Sequence, residues 1–115
     1  GGPPIWLGTQ GMQRGLRIVA EFADGWNQTY EPESFPAKRD ALLRHCEDVG
    51  RDPAEIEISA QVRLGKGHRA ALDAAIYLVE RGVQHVILLM PAEHGPAGLQ
   101  RLANEIAVPL RERFG

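Results

Sequence analysis

The residues best placed to bind a ligand form a glycine-containing turn, Gly8, Thr9, Gln10 and Gly11, between an apolar run and a helical pattern. Backbone N–H groups beside the positive end of a helix dipole make such a turn suitable for a phosphate. An ordinary connection between a strand and a helix would have the same composition, and spacing alone favours that plainer interpretation. We therefore expect this turn to be either a phosphate-binding segment or a purely structural one.

Two more side chains are candidates for contact with a ligand, Trp26 and Arg63. Trp26 is expected at the end of a short strand, where its indole could form a wall for a ring-shaped cofactor or substrate, although large aromatic residues are more often packed in a core. Arg63 is expected at the end of another strand, where its planar guanidinium could pair with a phosphate or a carboxylate. As a solvated charge, Arg63 would have no specific role.

Other reactive residue types give no pattern that predicts a site. Cys46 falls on the apolar face of a predicted helix and is expected to be a small buried residue. A single cysteine cannot form an internal disulfide, which predicts a reducing, cytoplasmic location. The four histidines lack metal-ligand spacing, so no metal site is predicted and surface or second-layer roles are expected for His45, His68, His85 and His94.

Composition excludes several classes of partner. The chain has 115 residues and a formal net charge of −2, with acidic and basic residues mixed along it. No basic stripe predicts nucleic-acid binding, and no apolar run approaches the ~20 residues that span a bilayer. The first five residues lack the basic and apolar regions of a signal peptide. A small-molecule ligand is therefore the expected partner.

Hydrophobic periodicity predicts four strands, each followed by a helix. The predicted strands cover residues 4–7, 24–28, 56–64 and 83–90, and the predicted helices cover residues 12–23, 35–49, 72–79 and 99–110. The first strand is expected to be buried and the last to be covered on both faces. Gly50 is expected to cap the second helix, and Pro109 to bend the last one.

Strict alternation of strands and helices predicts an α/β fold with parallel strands and right-handed crossovers. Four such units could form a small open sheet or half of an eight-stranded barrel. The third strand favours the barrel, because its residues alternate between an apolar set for the helix layer and a polar set for the interior. The apolar set is Ile56, Ile58, Ala60 and Val62, and the polar set is Ser59, Gln61 and Arg63.

Several segments together resemble the luciferase-like monooxygenase family, which includes bacterial luciferase and enzymes that use deazaflavin coenzyme F420. The segments are residues 3–11, 23–27, 35–39, 45–46, 50–53 and 56–59. The resemblance implies an eight-stranded TIM-type barrel of which residues 1–115, as a single domain, supply the C-terminal half, strands five to eight. Thr9 follows Gly8 where family members often have a second glycine, and the stretch after Leu64 is short for the family.

The resemblance implies an oxidoreductase fragment that uses FMN or coenzyme F420 and is incomplete for catalysis alone. Its cofactor-binding residues would be Gly8, Thr9, Gln10, Gly11, Trp26 and Arg63, while the catalytic residues stay unassigned. The alternative is a non-catalytic half-barrel, or an open α/β sheet that binds a phosphorylated ligand. Open strand edges and an uncovered inner face predict a homodimer or larger assembly, or association with a missing N-terminal half-barrel.

Overall fold

The computed structural model describes residues 2–9, 11–28, 32–64, 67–89 and 95–115. Four strands alternate with helices in the predicted order, and short 3-10 turns at Pro32–Ser34 and Pro53–Glu55 precede α2 and β3. The elements are β1 (Trp6–Leu7), α1 (Arg14–Phe22), β2 (Gly25–Gln28), α2 (Phe35–Val49), β3 (Glu57–Arg63), α3 (His68–Glu80), β4 (His85–Leu89), α4 (Gly95–Leu102) and α5 (Val108–Phe114). Among the described residues, no helix is long and apolar enough to cross a membrane.

The four strands form one parallel sheet in the order β1-β2-β3-β4. Consecutive right-handed crossovers in one direction place every connecting helix on the same face of a sheet, whereas a doubly wound sheet reverses its strand order. The observed order is that of successive strands in a barrel. The predicted parallel α/β fold is therefore confirmed.

The hydrophobic core lies on the helix-covered side of the sheet. The helix-facing residues of β3, Ile58, Ala60 and Val62, join the core with side chains from α1, α2 and α3. The intervening residues of β3 lie on the opposite face, as predicted. We call that opposite face the open face, and its residues with side chains are Trp6, Asn27, Glu57, Ser59, Gln61, Arg63, His85, Ile87 and Leu89.

Two predictions about strand burial are wrong, and the open face explains both. Ile5 and Trp6 are 51% and 40% exposed, so the first strand is not buried. In β4, Val86 packs against the core, whereas Ile87 and Leu89 are 41% and 38% exposed. A continuous apolar run suggests a strand covered on both faces, but here only one face has helices against it.

The indole of Trp6 lies across the open face and reaches the last strand of the sheet. A Cβ on Gly25 of β2 would overlap the Trp6 ring, so the absence of a side chain there lets the indole lie flat. Its ring centroid lies 6.2 Å from that of His85 on β4, in an edge-on arrangement. His85 Nε2 in turn lies 3.4 Å from Glu57 Oε2 on β3. The open face is thus spanned near the start of its strands by side chains of β1, β3 and β4.

The last helix is interrupted where Pro109 was expected to bend it. A π-helical segment, Ala103–Ala107, joins α4 to α5, and Pro109 lies in the first turn of α5. Proline has no N–H to donate to the carbonyl four residues earlier, and its ring needs room beside that carbonyl. A wider local turn is one way to provide that room within a continuous helix.

Three consecutive residues, Gly50, Arg51 and Asp52, stabilise the connection between α2 and β3. Gly50 has φ of +72° and donates its N–H to carbonyls of the last helical turn, which confirms the predicted cap. The Arg51 guanidinium donates to the carbonyls of Ala20 and Ala23 at the end of α1, at 3.2 and 2.8 Å. Asp52 Oδ1 accepts from the N–H of Ala54 at 3.0 Å. This segment therefore stabilises the fold at the end of the sheet opposite the candidate turn.

Candidate functional site

The predicted phosphate-binding turn lies between the carboxyl end of β1 and the start of α1. Gly8 and Gly11 are exposed and Thr9 is half-buried, while Gln10 lies outside the described residues. Neither described glycine has a left-handed φ. A Cβ on Gly8 would come no nearer than 3.7 Å to another atom, and one on Gly11 no nearer than 3.6 Å. The backbone here does not require glycine, so the exposed surface of the turn is open for a ligand to approach.

Thr9 is the best-anchored residue of the turn. Its Oγ1 accepts from the N–H of Gly11 at 3.3 Å. Its side chain also occupies the space directly over Gly15, where a Cβ would overlap Oγ1. Because a hydroxyl both accepts and donates, the Thr9 O–H keeps a hydrogen that can be donated to a ligand.

Three carbonyls in the turn or directly after it accept hydrogen bonds from the surrounding protein. Trp26 Nε1 donates to the carbonyl of Thr9 at 3.0 Å, and the N–H of Leu16 donates to that of Gly11 at 2.9 Å. The carbonyl of Met12 lies 2.7 Å from His45 Nε2. A carbonyl can only accept, so this ring nitrogen carries the hydrogen.

These bonds fix the direction of the neighbouring N–H groups. In a trans peptide the C=O of one residue and the N–H of the next point in opposite directions, and the described residues contain no cis peptide. The N–H groups of Met12 and Gln13 therefore point away from the donors that hold Gly11 O and Met12 O. The carbonyls of Thr9, Gly11 and Met12 are thus occupied while the N–H groups of Met12 and Gln13 are directed elsewhere, an arrangement that suits an anion.

Trp26 does not form a wall of this turn. It is fully buried on the helix-facing side of β2 and stacks on Phe35, with ring centroids 6.0 Å apart and an interplanar angle of 16°. Core packing, the alternative considered from sequence, describes its position. Its indole N–H, rather than its ring face, reaches the turn.

Arg63 lies where the strand pattern predicted, at the carboxyl end of β3 on the open face, and it is exposed. Below it, Ser59 Oγ donates to Asn27 Oδ1 at 2.9 Å, which joins the polar residues of β2 and β3. The turn follows β1, two strands away in the sheet order. The structure thus brings Arg63 and the turn to the same edge of the sheet, with β2 between them.

Two residues that matter for the turn were missed from the sequence. His45 was expected to have a surface or second-layer role, and Gly15 was not singled out. His45 precedes β3 on a different helix and is 33 positions from Met12, so no local pattern connects the two. The sequence showed only that the polar residue His45 precedes Cys46 on the predicted helix, within a segment that resembles the family.

Other ionisable groups lie in the helix layer. Burial raises the pKa of the Cys46 thiol, which keeps it protonated, as expected for a small buried residue. His68 Nδ1 lies 2.6 Å from Glu105 Oε2, and this hydrogen bond, followed by the nearby charge of Arg101, lowers the pKa of Glu105. Among the described residues, no group of three His, Cys, Asp or Glu side chains is arranged to hold a metal ion.

No protein-family model matches the chain. Its fold is similar to that of coenzyme F420 dependent tetrahydromethanopterin reductase from Methanopyrus kandleri, with a TM-score of 0.66 and 15% identity over 91% of this chain and 50% of that one. It is also similar to an F420-dependent secondary alcohol dehydrogenase in complex with an F420-acetone adduct, with a TM-score of 0.60 and 12% identity over 76% of this chain and 43% of that one. The chain thus spans half or less of the length of these two structures. At these identities the likeness concerns the fold, and the fold is that of half an α/β barrel.

Proposed function

We propose that this chain is the cofactor-binding half of an F420-dependent oxidoreductase barrel. Two enzymes that share its fold use coenzyme F420, and the sequence resembles the family to which such enzymes belong. FMN is the alternative cofactor that the family resemblance implies, with monooxygenase chemistry. F420 is favoured because it is the cofactor of both structural neighbours.

The observation that carries this proposal is the arrangement of the turn after β1. The phosphate of the cofactor would accept from the N–H groups of Met12 and Gln13 and from the Thr9 hydroxyl, with the carbonyls of Thr9, Gly11 and Met12 held away from it. Arg63 would place a positive charge on the open face at the same edge of the sheet. These contacts match the chemistry of a phosphodiester or phosphomonoester, since all are donors or cations.

When bound, the deazaflavin would supply hydride transfer to or from a small-molecule substrate. The contribution of this chain is binding and orientation: the turn holds the phosphate, and the open face borders the space in which a ring could lie. Asn27 and Gln61, the half-buried polar residues of β2 and β3 on that face, are the groups positioned to contact the ring or the substrate, and the buried Ser59 holds the Asn27 amide. Acid and base residues for the reaction would come from the other half of the barrel.

The test is a fluorescence titration of the purified chain with coenzyme F420 and, separately, with FMN. We expect F420 to bind more tightly than FMN, and G11V to weaken that binding by about tenfold, because a branched side chain covers the donor surface. The melting temperature of G11V should change little, since a Cβ meets only ordinary contacts there. Absence of binding to either cofactor would favour a non-catalytic half-barrel, and a large loss of stability with unchanged affinity would show that the turn is structural.

We further propose that a second copy of this chain covers the open face. The face exposes three large apolar side chains, Trp6, Ile87 and Leu89, and the outer strands β1 and β4 each leave one edge without a strand partner in the described sheet. Unpaired edges favour further strand pairing, and two-fold symmetry is the commonest arrangement of identical chains. Two copies of a half-barrel would supply the strand number of a full barrel. Association with a separate N-terminal half is the competing outcome.

A further inference from the structure

Two side chains hold the candidate turn from positions where they cannot contact its ligand. Trp26 belongs to the core behind β2, and His45 belongs to α2, which packs against α1. Each donates one hydrogen bond to a main-chain carbonyl of the turn region, at Thr9 and at Met12. They come from different elements and act on different peptide groups.

These bonds have an electrostatic consequence for an anion. A carbonyl oxygen that faced a phosphate would repel it, and a short loop can rotate a peptide plane at small cost unless something holds it. A donor behind the turn keeps each of these oxygens on the protein side, and at Met12 it thereby keeps the N–H of Gln13 on the other side. The turn is then already oriented when the chain has folded, so binding of the anion does not have to supply the free energy of orienting it.

The environment of His45 supports a dedicated role. Its Nδ1 is buried and has no hydrogen-bond partner among the described residues, while Nε2 makes a short bond to Met12 O. A buried acceptor without a partner is unfavourable, and native structures contain few of them. The ring is thus held where Nε2 can reach the turn although its other nitrogen is left without a bond.

We propose that His45 and Trp26 are positioning residues for the anion-binding turn, which they keep in its donor-outward conformation. This inference rests on the proposed cofactor site but adds two residues that the ligand does not touch. It predicts that removing either donor will reduce affinity for the cofactor and loosen the turn, beyond any effect on overall stability.

The first test compares H45M with H45Q. Methionine fills a similar volume without a donor, whereas the glutamine amide can place an N–H near the position of Nε2. We expect H45M to raise the Kd for coenzyme F420 by about threefold to tenfold, the effect of one lost hydrogen bond, and H45Q to stay within about twofold of wild type. The N–H of Leu16 donates to Gly11 O in the turn, so its amide hydrogen exchange should be faster in H45M and restored in H45Q.

The matched control is H68M, which removes another histidine hydrogen bond, to Glu105 in the helix layer. It should lower the melting temperature without changing the Kd or the exchange rate at Leu16. W26F is the second variant, since it keeps an aromatic ring against Phe35 but loses the indole N–H. It should raise the Kd for F420 in the same direction as H45M.

The outcomes separate the two proposals. Equal exchange rates at Leu16 in wild type and H45M, or a loss of affinity that H45Q does not restore, would overturn the positioning role of His45. A W26F variant with altered stability and unchanged Kd would overturn that of Trp26. If the wild-type chain binds no F420, the proposed cofactor fails, and the exchange rates of H45M and H45Q still decide whether His45 holds the turn.

Discussion

Thr9 and Gly15 form a matched pair within the turn after β1. The sequence resemblance predicts a second glycine at the position of Thr9, and here the larger side chain occupies the space over a glycine of α1. Thr9 also accepts from Gly11 and, through its carbonyl, from Trp26. The departure from the family pattern therefore adds a hydroxyl to the turn and makes a glycine in the first turn of α1 necessary.

This pairing predicts a reversal in the effect of one substitution. Alanine in a helix is usually more stable than glycine by about 1 kcal/mol. In the presence of Thr9, G15A should instead lower the free energy of unfolding by about 1–3 kcal/mol, the typical cost of overpacking. In a T9G background the same change should be neutral or stabilising. Chemical denaturation of the four variants measures both effects, and a G15A that stabilises the wild-type chain would show that the turn relaxes easily.

At the scale of elements, the last helix is tied to α3 by polar contacts at its irregular segment. Glu105 lies in the π-helical turn, accepts from His68 at the start of α3, and is 3.4 Å from Arg101 one turn earlier. At the other end of these helices, Arg113 lies 3.4 Å from Glu80. The two helices are thus joined near both ends of α3.

The pH dependence of stability should report the Glu105 contact. The hydrogen bond from His68 lowers the folded-state pKa of Glu105, so the folded chain binds this proton less readily than the unfolded chain. The contribution is then fully present above the unfolded pKa, about 4.3, and is lost as the pH falls through the lower folded pKa. E105Q should melt at a lower temperature than wild type at neutral pH, and the two curves should converge in acid. A difference that persists unchanged in acid would assign the effect to packing.

The strength of each local pattern decided how well sequence predicted the elements. β3 and the Gly50 cap followed directly from alternation and from a glycine at the end of a periodic stretch. The exposure of Trp6 and Ile87 could not be predicted, since an apolar residue looks the same whether or not a second layer covers it. The donors to the turn were equally hidden, because hydrogen bonds such as that from His45 to Met12 depend on how α1 and α2 pack.

For the whole molecule, the open face is the feature that most constrains the assembled state. One side of the sheet carries the helices and the core, and the other side exposes apolar and charged residues together. A sheet of this order curves toward closure in a barrel, which would bury the open face. The proposed second copy would provide that closure.

Sedimentation should report a dimer or larger species at micromolar concentration. I87E and L89D each place a charge on the open face at β4 and should shift the equilibrium toward the monomer, because a core-like interface excludes unpaired charge. F22E is a suitable control, since Phe22 is 65% exposed on α1 within the helix layer. A monomer whose cooperative unfolding does not depend on protein concentration would contradict the dimer, and a stable one-to-one complex with a different half-barrel would replace it.

The position of Trp6 over Gly25 also gives the protein an internal optical probe. The chain has two tryptophans, and Trp26 is fully buried whereas Trp6 is 40% exposed on the open face. Indole emission shifts to the blue when water is removed from the ring, so covering the open face should change the emission of Trp6 and leave that of Trp26 constant. The emission spectrum of the unlabelled chain therefore distinguishes a covered from an uncovered open face, and a W6F variant isolates the constant signal of Trp26.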